Sequence, residues 1–262
     1  MTILDKIILH KREEVAAAKT SVPESVLMDM DGFGRSCLSL REFLLDPSRN
    51  GIIAEFKRVS PSKGVINAEA TVADVVAGYE AAGAAAVSVL TDEEFFGGSL
   101  EDLVEARKHL NIPLLRKDFV VDRYQITEAK AYGADIILLI AASLTPAEVK
   151  DFSEYAQTLG LSVLLEVHQL EELLPNLLES VDAIGVNNRN LHDFRVDINH
   201  SIRLAAEIPA KFLKVSESGL SDTETVLKLR ESGFQGFLMG EHFMKTTNPA
   251  EAIKQFVAGI GK

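Results

Sequence analysis

Eight short apolar runs recur along this chain, their starts 21 to 34 residues apart, and that spacing constrains the fold more than any other feature. The runs are GIIAEFK (51–57), AAVSVLT (85–91), PLLRKDF (113–119), DIILLIA (135–141), SVLLEV (162–167), AIGVNNR (183–189), KFLKVSES (211–218) and GFLMG (236–240). Each interval leaves room for a loop, a helix and a return turn. Runs apolar on both faces suit parallel strands covered by helices. The intervals carry helix signals. Thr71 to Ala82 opens on a capping residue and stops at Gly83, and Asp122 to Tyr132 stops at Gly133. Ser99 to Leu110 places Glu101 and Asp102 in its first turn and Lys108 and His109 in its last, matching the helix dipole. Thr145-Pro146 opens another helix with proline in its first turn, and Ser221 to Ser232 follows a cap and stops at Gly233.

Eight strand–helix units in roughly 200 to 250 residues is the arithmetic of a (β/α)8 TIM barrel, an α/β fold. The alternative, an open doubly wound sheet, would carry a glycine-rich dinucleotide fingerprint after its first strand, and none is present. The expectation is one barrel domain over residues 1–262, with residues 1–48 as an N-terminal helical extension that includes an amphipathic helix from Ile3 to Lys19. A chain of 262 residues buries enough surface to need no disulfide or metal staple.

Composition narrows the function classes. With 27 Lys and Arg against 39 Asp and Glu, the formal charge of −12 argues against general affinity for nucleic acid or an anionic membrane. The longest apolar run, Ile136 to Ala142, is strand-sized and far from the roughly 20 residues of a membrane span. The N-terminus, MTILDKIILHKREEVAAAK, mixes both charge signs and lacks a signal-peptide core. Cys37 is the single cysteine, so no intrachain disulfide forms and a reducing, cytoplasmic setting is expected.

Side chains two apart on a strand share a face, which pairs Glu55 with Lys57, Lys117 with Phe119, Asn187 with Arg189, Glu166 with Leu164 and Glu217 with Val215. In every pair the polar group falls at the C-terminal end of its run, where barrel enzymes place their active sites. Singly, each is a solvated rim charge or an ion-pair member. Five strands with ionisable or amide groups at one level are not explained that way, because crowding desolvated charges around one mouth is costly. The loops after the seventh and eighth strands, Ser218-Gly219-Leu220-Ser221 and Met239-Gly240-Glu241, suit phosphate binding, since glycine admits an oxyanion close to the backbone and helix starts offer free N–H groups. Opposite them, Arg58 to Gly64 supplies hydroxyls, including Ser60, and cations that can close over an anion; otherwise it is an ordinary polar loop. The six histidines form no HExxH or Cys/His cluster, and no GxSxG or GxxxxGK[ST] stretch occurs. Cys37, outside the barrel strands, reads as a buried small residue or an inert thiol; His168, just past Glu166, could be a base but reads more readily as a rim histidine.

The stretches IIAEFKRVSPSKG, PLLRKDF, LLEVH, GVNNRNL, VSESG and GFLMGE, in this order and spacing, resemble the indole-3-glycerol phosphate synthase family. The resemblance covers nearly the whole chain, including the KREEV segment, and the length suggests the single-function form. It implies ring closure, decarboxylation and dehydration of 1-(2-carboxyphenylamino)-1-deoxyribulose 5-phosphate to indole-3-glycerol phosphate, CO2 and water in tryptophan biosynthesis, without metal or organic cofactor. By match to the family's motifs it implies Lys117 as an acid, Glu166 as a base, and Lys57 across the pocket near Glu55. It further implies Asn187, Arg189, Glu217 and Ser218 as substrate-orienting groups, Phe119 against the anthranilate ring, and Ser60, Gly219, Gly240 and the Glu241 N–H on the phosphate. The only expected partner is a small phosphorylated substrate, acted on by a monomer or a weak dimer. Two departures stand out: Asn190 where the family's N-R-D-L form has aspartate, and the Glu241 carboxylate beside the phosphate unless it turns outward. A sugar-phosphate isomerase such as phosphoribosylanthranilate isomerase would pair a Cys or Asp base with an Asp acid, and a non-catalytic phosphate-binding barrel would have lost Lys117 or Glu166.

Overall fold

Each of the eight apolar runs contains a parallel strand of the computed structural model, which describes residues 2–61, 63–189 and 195–261. The strands are β1 (Ile52–Phe56), β2 (Ala86–Leu90), β3 (Leu114–Lys117), β4 (Ile136–Ile140), β5 (Ser162–Val167), β6 (Ala183–Asn187), β7 (Leu213–Glu217) and β8 (Gly236–Met239). Each pairs with its neighbour in sequence, and β8 returns to β1 through Ala54 opposite Met239, closing the barrel. Most strands end before their runs do. Lys57, Phe119, Arg189, Ser218 and Gly240 all lie one or two residues past a strand, in the loops of the C-terminal mouth. Strand alternation therefore does not aim these five; loop geometry does.

Helices α1 (Ile3–Ser21), α2 (Glu24–Met28) and α3 (Leu40–Leu45) precede the barrel. Around it lie α4 (Val72–Ala81), α5 (Leu100–Lys108), α6 (Arg123–Ala131), α7 (Pro146–Thr158), α8 (Leu170–Leu173), α9 (Ile198–Ala205), α10 (Thr223–Glu231), α11 (Glu241–Met244) and α12 (Pro249–Ile260). The caps follow the sequence signals: Thr71, Ser99, Asp122 and Thr145 each accept a backbone N–H with their side chains. One differs. The helix expected from Ser221 is capped by Asp222, whose carboxylate accepts from Thr225 N, because a carboxylate at that position reaches the third helical N–H.

Two apolar layers form. Ile53, Leu115, Leu138, Leu164, Val215 and Leu238 fill the barrel, and Leu40 and Leu44 of α3 join them from the N-terminal end. The alternate residues, among them Val87, Leu114, Ile137, Val163 and Ile184, face the helices. A fully buried aliphatic side chain contributes about 1.5–3 kcal/mol. The extension is also tied down by charge. Asp135, fully buried, accepts from Arg35 at 2.7 Å, Arg107 at 2.6 Å and the backbone N–H groups of Leu38 and Leu114. Among the described residues no helix is long and apolar enough to cross a membrane.

Candidate active site

The C-terminal mouth of the barrel holds a cavity of about 490 Å³. Its floor is made by Leu90, Leu138, Ile140 and Leu238, side chains at or near the upper ends of β2, β4 and β8. All thirteen side chains and loop positions singled out in the sequence line it: Glu55, Lys57, Ser60, Lys117, Phe119, Glu166, Asn187, Arg189, Glu217, Ser218, Gly219, Gly240 and Glu241. Asn190 lies outside the described residues, as do Ser62 in the loop after β1 and His192.

At the centre stands Glu166, buried on β5. Its Oε1 accepts from Asn187 Nδ2 at 2.9 Å, and its Oε2 faces Lys117 Nζ at 3.5 Å. Across the mouth Lys57 Nζ meets Glu55 Oε1 at 2.5 Å. Asn187 is itself oriented by accepting the Arg189 N–H at 3.0 Å on Oδ1. Burial alone would lower the Lys117 pKa, but the acidic side chains around it, Glu166 first and then Glu217 and Glu55, outweigh it and raise it, so the side chain is an ammonium at neutral pH. Burial works against the Glu166 carboxylate, yet Lys117, His168 and the Asn187 amide leave its pKa below the ordinary value. Glu217 goes the other way. Burial, reinforced by the charges of Glu166 and Glu55 and opposed by Lys117, pushes it up to about 8, so it is a neutral carboxyl beside an ionised one.

Two glycines make this crowding possible. A Cβ on Gly185 would stand 2.0 Å from Glu217 Oε1, and one on Gly240 would stand 2.6 Å from Glu55 Oε1. Gly185 lies opposite Glu166 in the sheet, a role that shows only once strands are registered. At the other end, Ser218 (φ 68°) and Gly219 (φ 74°) are consecutive residues with positive φ, so the chain turns sharply where it borders the cavity. A non-glycine residue there is strained, as functional loops often are. Asn188 braces that turn, donating to Glu217 O and Ser218 O at 2.9 Å. The buried Ser60 Oγ has no hydrogen-bond partner among the described residues. The loop after β1 is a small hairpin, with Val59–Ser60 pairing antiparallel to Gly64–Val65. From it Lys63 Nζ stands 3.9 Å from Glu241 Oε1, both side chains well exposed, so the Glu241 carboxylate has a cation beside it at the rim.

Several lining groups were not foreseen. Ile3, Leu4 and Ile7 of α1 form an apolar wall of the cavity, and Phe96 sits against Phe119 with ring centroids 5.9 Å apart. Lys11, fully buried, pins α1 by ion pairs with Asp92 at 3.0 Å and Asp118 at 3.1 Å. Its position was a readable signal: it falls on the stripe of Ile7 and Val15 at four-residue spacing, where lysine has no place unless paired. His168 is not a rim residue. The chain turns it inward between Glu166 and Glu172, leaving its side chain 12% exposed. Cys37 is half-buried rather than fully buried and lies apart from the cavity, its Sγ 3.1 Å from Lys130 Nζ. Among the described residues no group of three or more His, Cys, Asp or Glu side chains is arranged to hold a metal ion.

A closed parallel barrel with ammonium groups and carboxylates converging on its C-terminal mouth defines a (β/α)8 barrel of the enzyme class, with its charged groups where such barrels keep their active sites. Solved structures agree on the fold: 3-hexulose-6-phosphate synthase from Salmonella typhimurium aligns with a TM-score of 0.60 at 14% identity over 81% of this chain and 100% of its own. A chain of the tryptophan synthase complex from Pyrococcus furiosus aligns with a TM-score of 0.58 at 17% identity, over 80% of this chain and 97% of its own. Residues 4–256 match the family model described as indole-3-glycerol phosphate synthase. The chain is 48% identical over 258 residues, 98% of each chain, to the indole-3-glycerol phosphate synthase of Bacteroides thetaiotaomicron. It is 44% identical over 260 residues to that of Salinibacter ruber, covering 98% of this chain and 96% of the other. The chain belongs to the indole-3-glycerol phosphate synthase family, and is a decarboxylating lyase of tryptophan biosynthesis.

Proposed function

We propose how this site closes the indole ring of 1-(2-carboxyphenylamino)-1-deoxyribulose 5-phosphate. Lys117 is the acid: as the aromatic carbon attacks the sugar ketone, its ammonium protonates the oxygen on which negative charge develops. Phe119, braced by Phe96, packs on the anthranilate ring, and the apolar wall of α1 lowers the polarity around the carboxylate, favouring its loss as CO2 once ring aromaticity is broken. Glu166, oriented by Asn187, takes the proton in the dehydration, and Lys57, paired with Glu55, assists the departing hydroxyl from the opposite side. Arg189, Glu217 and Ser218 orient the substrate. Ser60, Gly219, Gly240 and the Glu241 N–H hold the phosphate. The protein works as one barrel domain in the cytoplasm, as a monomer or weak dimer, with no nucleic-acid partner; its charge of −12 supports the last point.

The observation that carries this reading is the convergence of Lys57, Lys117 and Glu166 on one cavity that also reaches Gly219 and Gly240. The test is to incubate the protein with the carboxyphenylamino-deoxyribulose phosphate and follow indole absorbance and fluorescence, against a low background because the chain has no tryptophan. A steep fall in product formation is expected in both Lys117→Ala and Glu166→Gln. Full turnover in either variant would remove that residue from the scheme. An isomerase on the same scaffold is disfavoured, because Cys37 stands away from the cavity while two lysines face it.

A further inference from the structure

Beside the base, on the wall of the same cavity, stands a histidine that the reaction scheme does not use. His168 Nε2 stands 3.4 Å from Glu166 Oε1, and His168 Nδ1 stands 3.5 Å from Glu172 Oε2. Glu172, in the short helix α8 that follows β5, is held in place because the same Oε2 accepts the His168 backbone N–H at 2.7 Å. His200 of α9 fixes the other side, its ring Nε2 bonded to the His168 carbonyl. Both imidazole nitrogens are buried, and among the described residues neither makes a well-aligned hydrogen bond. A neutral ring has one N–H and one lone pair, so it would set a lone pair against a carboxylate on one side. Only the doubly protonated ring meets both carboxylates with a donor. Burial opposes that charge, but Glu172 and Glu166, with Lys117 in opposition, leave the His168 pKa above the ordinary histidine value.

We infer that His168 is a positioning residue for this reaction: clamped as an imidazolium between Glu172 and Glu166, it keeps the Glu166 carboxylate ionised and its Oε1 engaged, so that Oε2, facing Lys117, is the oxygen that takes the substrate proton. This rests on Glu166 being the base. The two oxygens of Glu166 are already divided, Asn187 and His168 on Oε1 and Lys117 on Oε2. The remaining titratable groups that face this group are Glu217 on β7, which is a neutral carboxyl at neutral pH, and Glu55 beside Lys57 on β1. Both act on Lys117, so the imidazolium and Lys117 are the two cations that hold the Glu166 carboxylate.

The test is the pH profile of kcat/KM for His168→Gln against the parent with the same substrate, so that substrate ionisation is common to both. Loss of the imidazolium raises the Glu166 pKa and moves the acid limb upward by about one pH unit, so the deficit shrinks as pH rises. A deficit of equal size at every pH, or none, overturns the proposal, because a structural role would not follow protonation. Glu172→Gln is the second variant. Its amide oxygen still accepts the His168 N–H, and it shifts the limb in the same direction by less. In the double variant the shift equals that of His168→Gln alone, since Glu172 acts through His168. Were His168→Gln not to fold, an unmoved limb in Glu172→Gln would overturn the proposal by itself. Glu166→Gln separates the two readings. If it abolishes turnover while the His168→Gln limb is unmoved, only the positioning role fails; if it retains turnover, the base assignment fails and this inference with it.

Discussion

Lys117 is a cation in a buried setting because acidic side chains on β5, β7 and β1 face its ammonium, the ionised Glu166 foremost among them. In the proposed role of acid it begins each turnover protonated, and its proton becomes transferable when the substrate's developing oxyanion competes with Glu166 for it. Lys117→Ala is expected to lower kcat by ~10²–10⁴-fold with a smaller effect on KM, read from steady-state kinetics. Unchanged turnover would assign the acid elsewhere. The residues of this site were legible because chemistry-bearing side chains at the C-terminal ends of apolar runs are conspicuous. Their mutual arrangement was not. That Glu217 is neutral, that Gly185 clears space for it, and that His168 turns inward each depend on the neighbouring strand rather than on flanking sequence.

Among the elements, α1 differs most from what its sequence suggests. As an amphipathic helix it was expected to cover apolar surface, and Ile7 and Val15 do so. The helix also reaches the active-site mouth, where Lys11 closes a buried network. Asp118 pairs with Arg116 at 3.1 Å as well as with Lys11, and Arg116 pairs with Glu128 at 2.7 Å. Asp118 Oδ1 also accepts the N–H of Phe119, so the pose of that ring is linked to α1. Lys11→Met keeps the stem and removes the charge, leaving Asp92 and Asp118 buried and short of a cation. The expected loss is about 3–5 kcal/mol in urea unfolding, together with a raised KM as the wall of Ile3, Leu4 and Ile7 loosens. Stability within about 0.5 kcal/mol of the parent would mean the network is satisfied without α1.

At the scale of the molecule, closing the barrel gathers acidic groups from distant segments into one mouth, and stability should depend on pH in two directions. Asp118, where burial is outweighed by Arg116 and Lys11, and Glu166 both have lowered pKa values, so their contribution is present above the ordinary carboxylate range and is lost as pH falls through it. Glu217 has the opposite sign. The folded chain holds its proton up to about 8 while the unfolded chain has released it, so rising pH favours the unfolded state over that interval. Denaturant unfolding is expected to show the parent losing stability between about pH 5 and 8 relative to Glu217→Gln, with both declining below about pH 4. Parallel curves for the two proteins above pH 5 would mean Glu217 is ionised in the fold.

The barrel itself was determined by the sequence. Apolar runs separated by capped helical segments allow few other ways to bury both faces of parallel strands, and the positions of Thr71, Ser99, Asp122 and Thr145 mark where helices start with local hydrogen bonds alone. The active-site protonation states, the inward turn of His168 and the reach of Lys11 were decided by tertiary structure, because electrostatic energy depends on distances between groups that lie tens to more than a hundred residues apart in the chain. Lys11 and Asp118 are far apart in sequence and 3.1 Å apart once the barrel closes, and no local pattern encodes that separation.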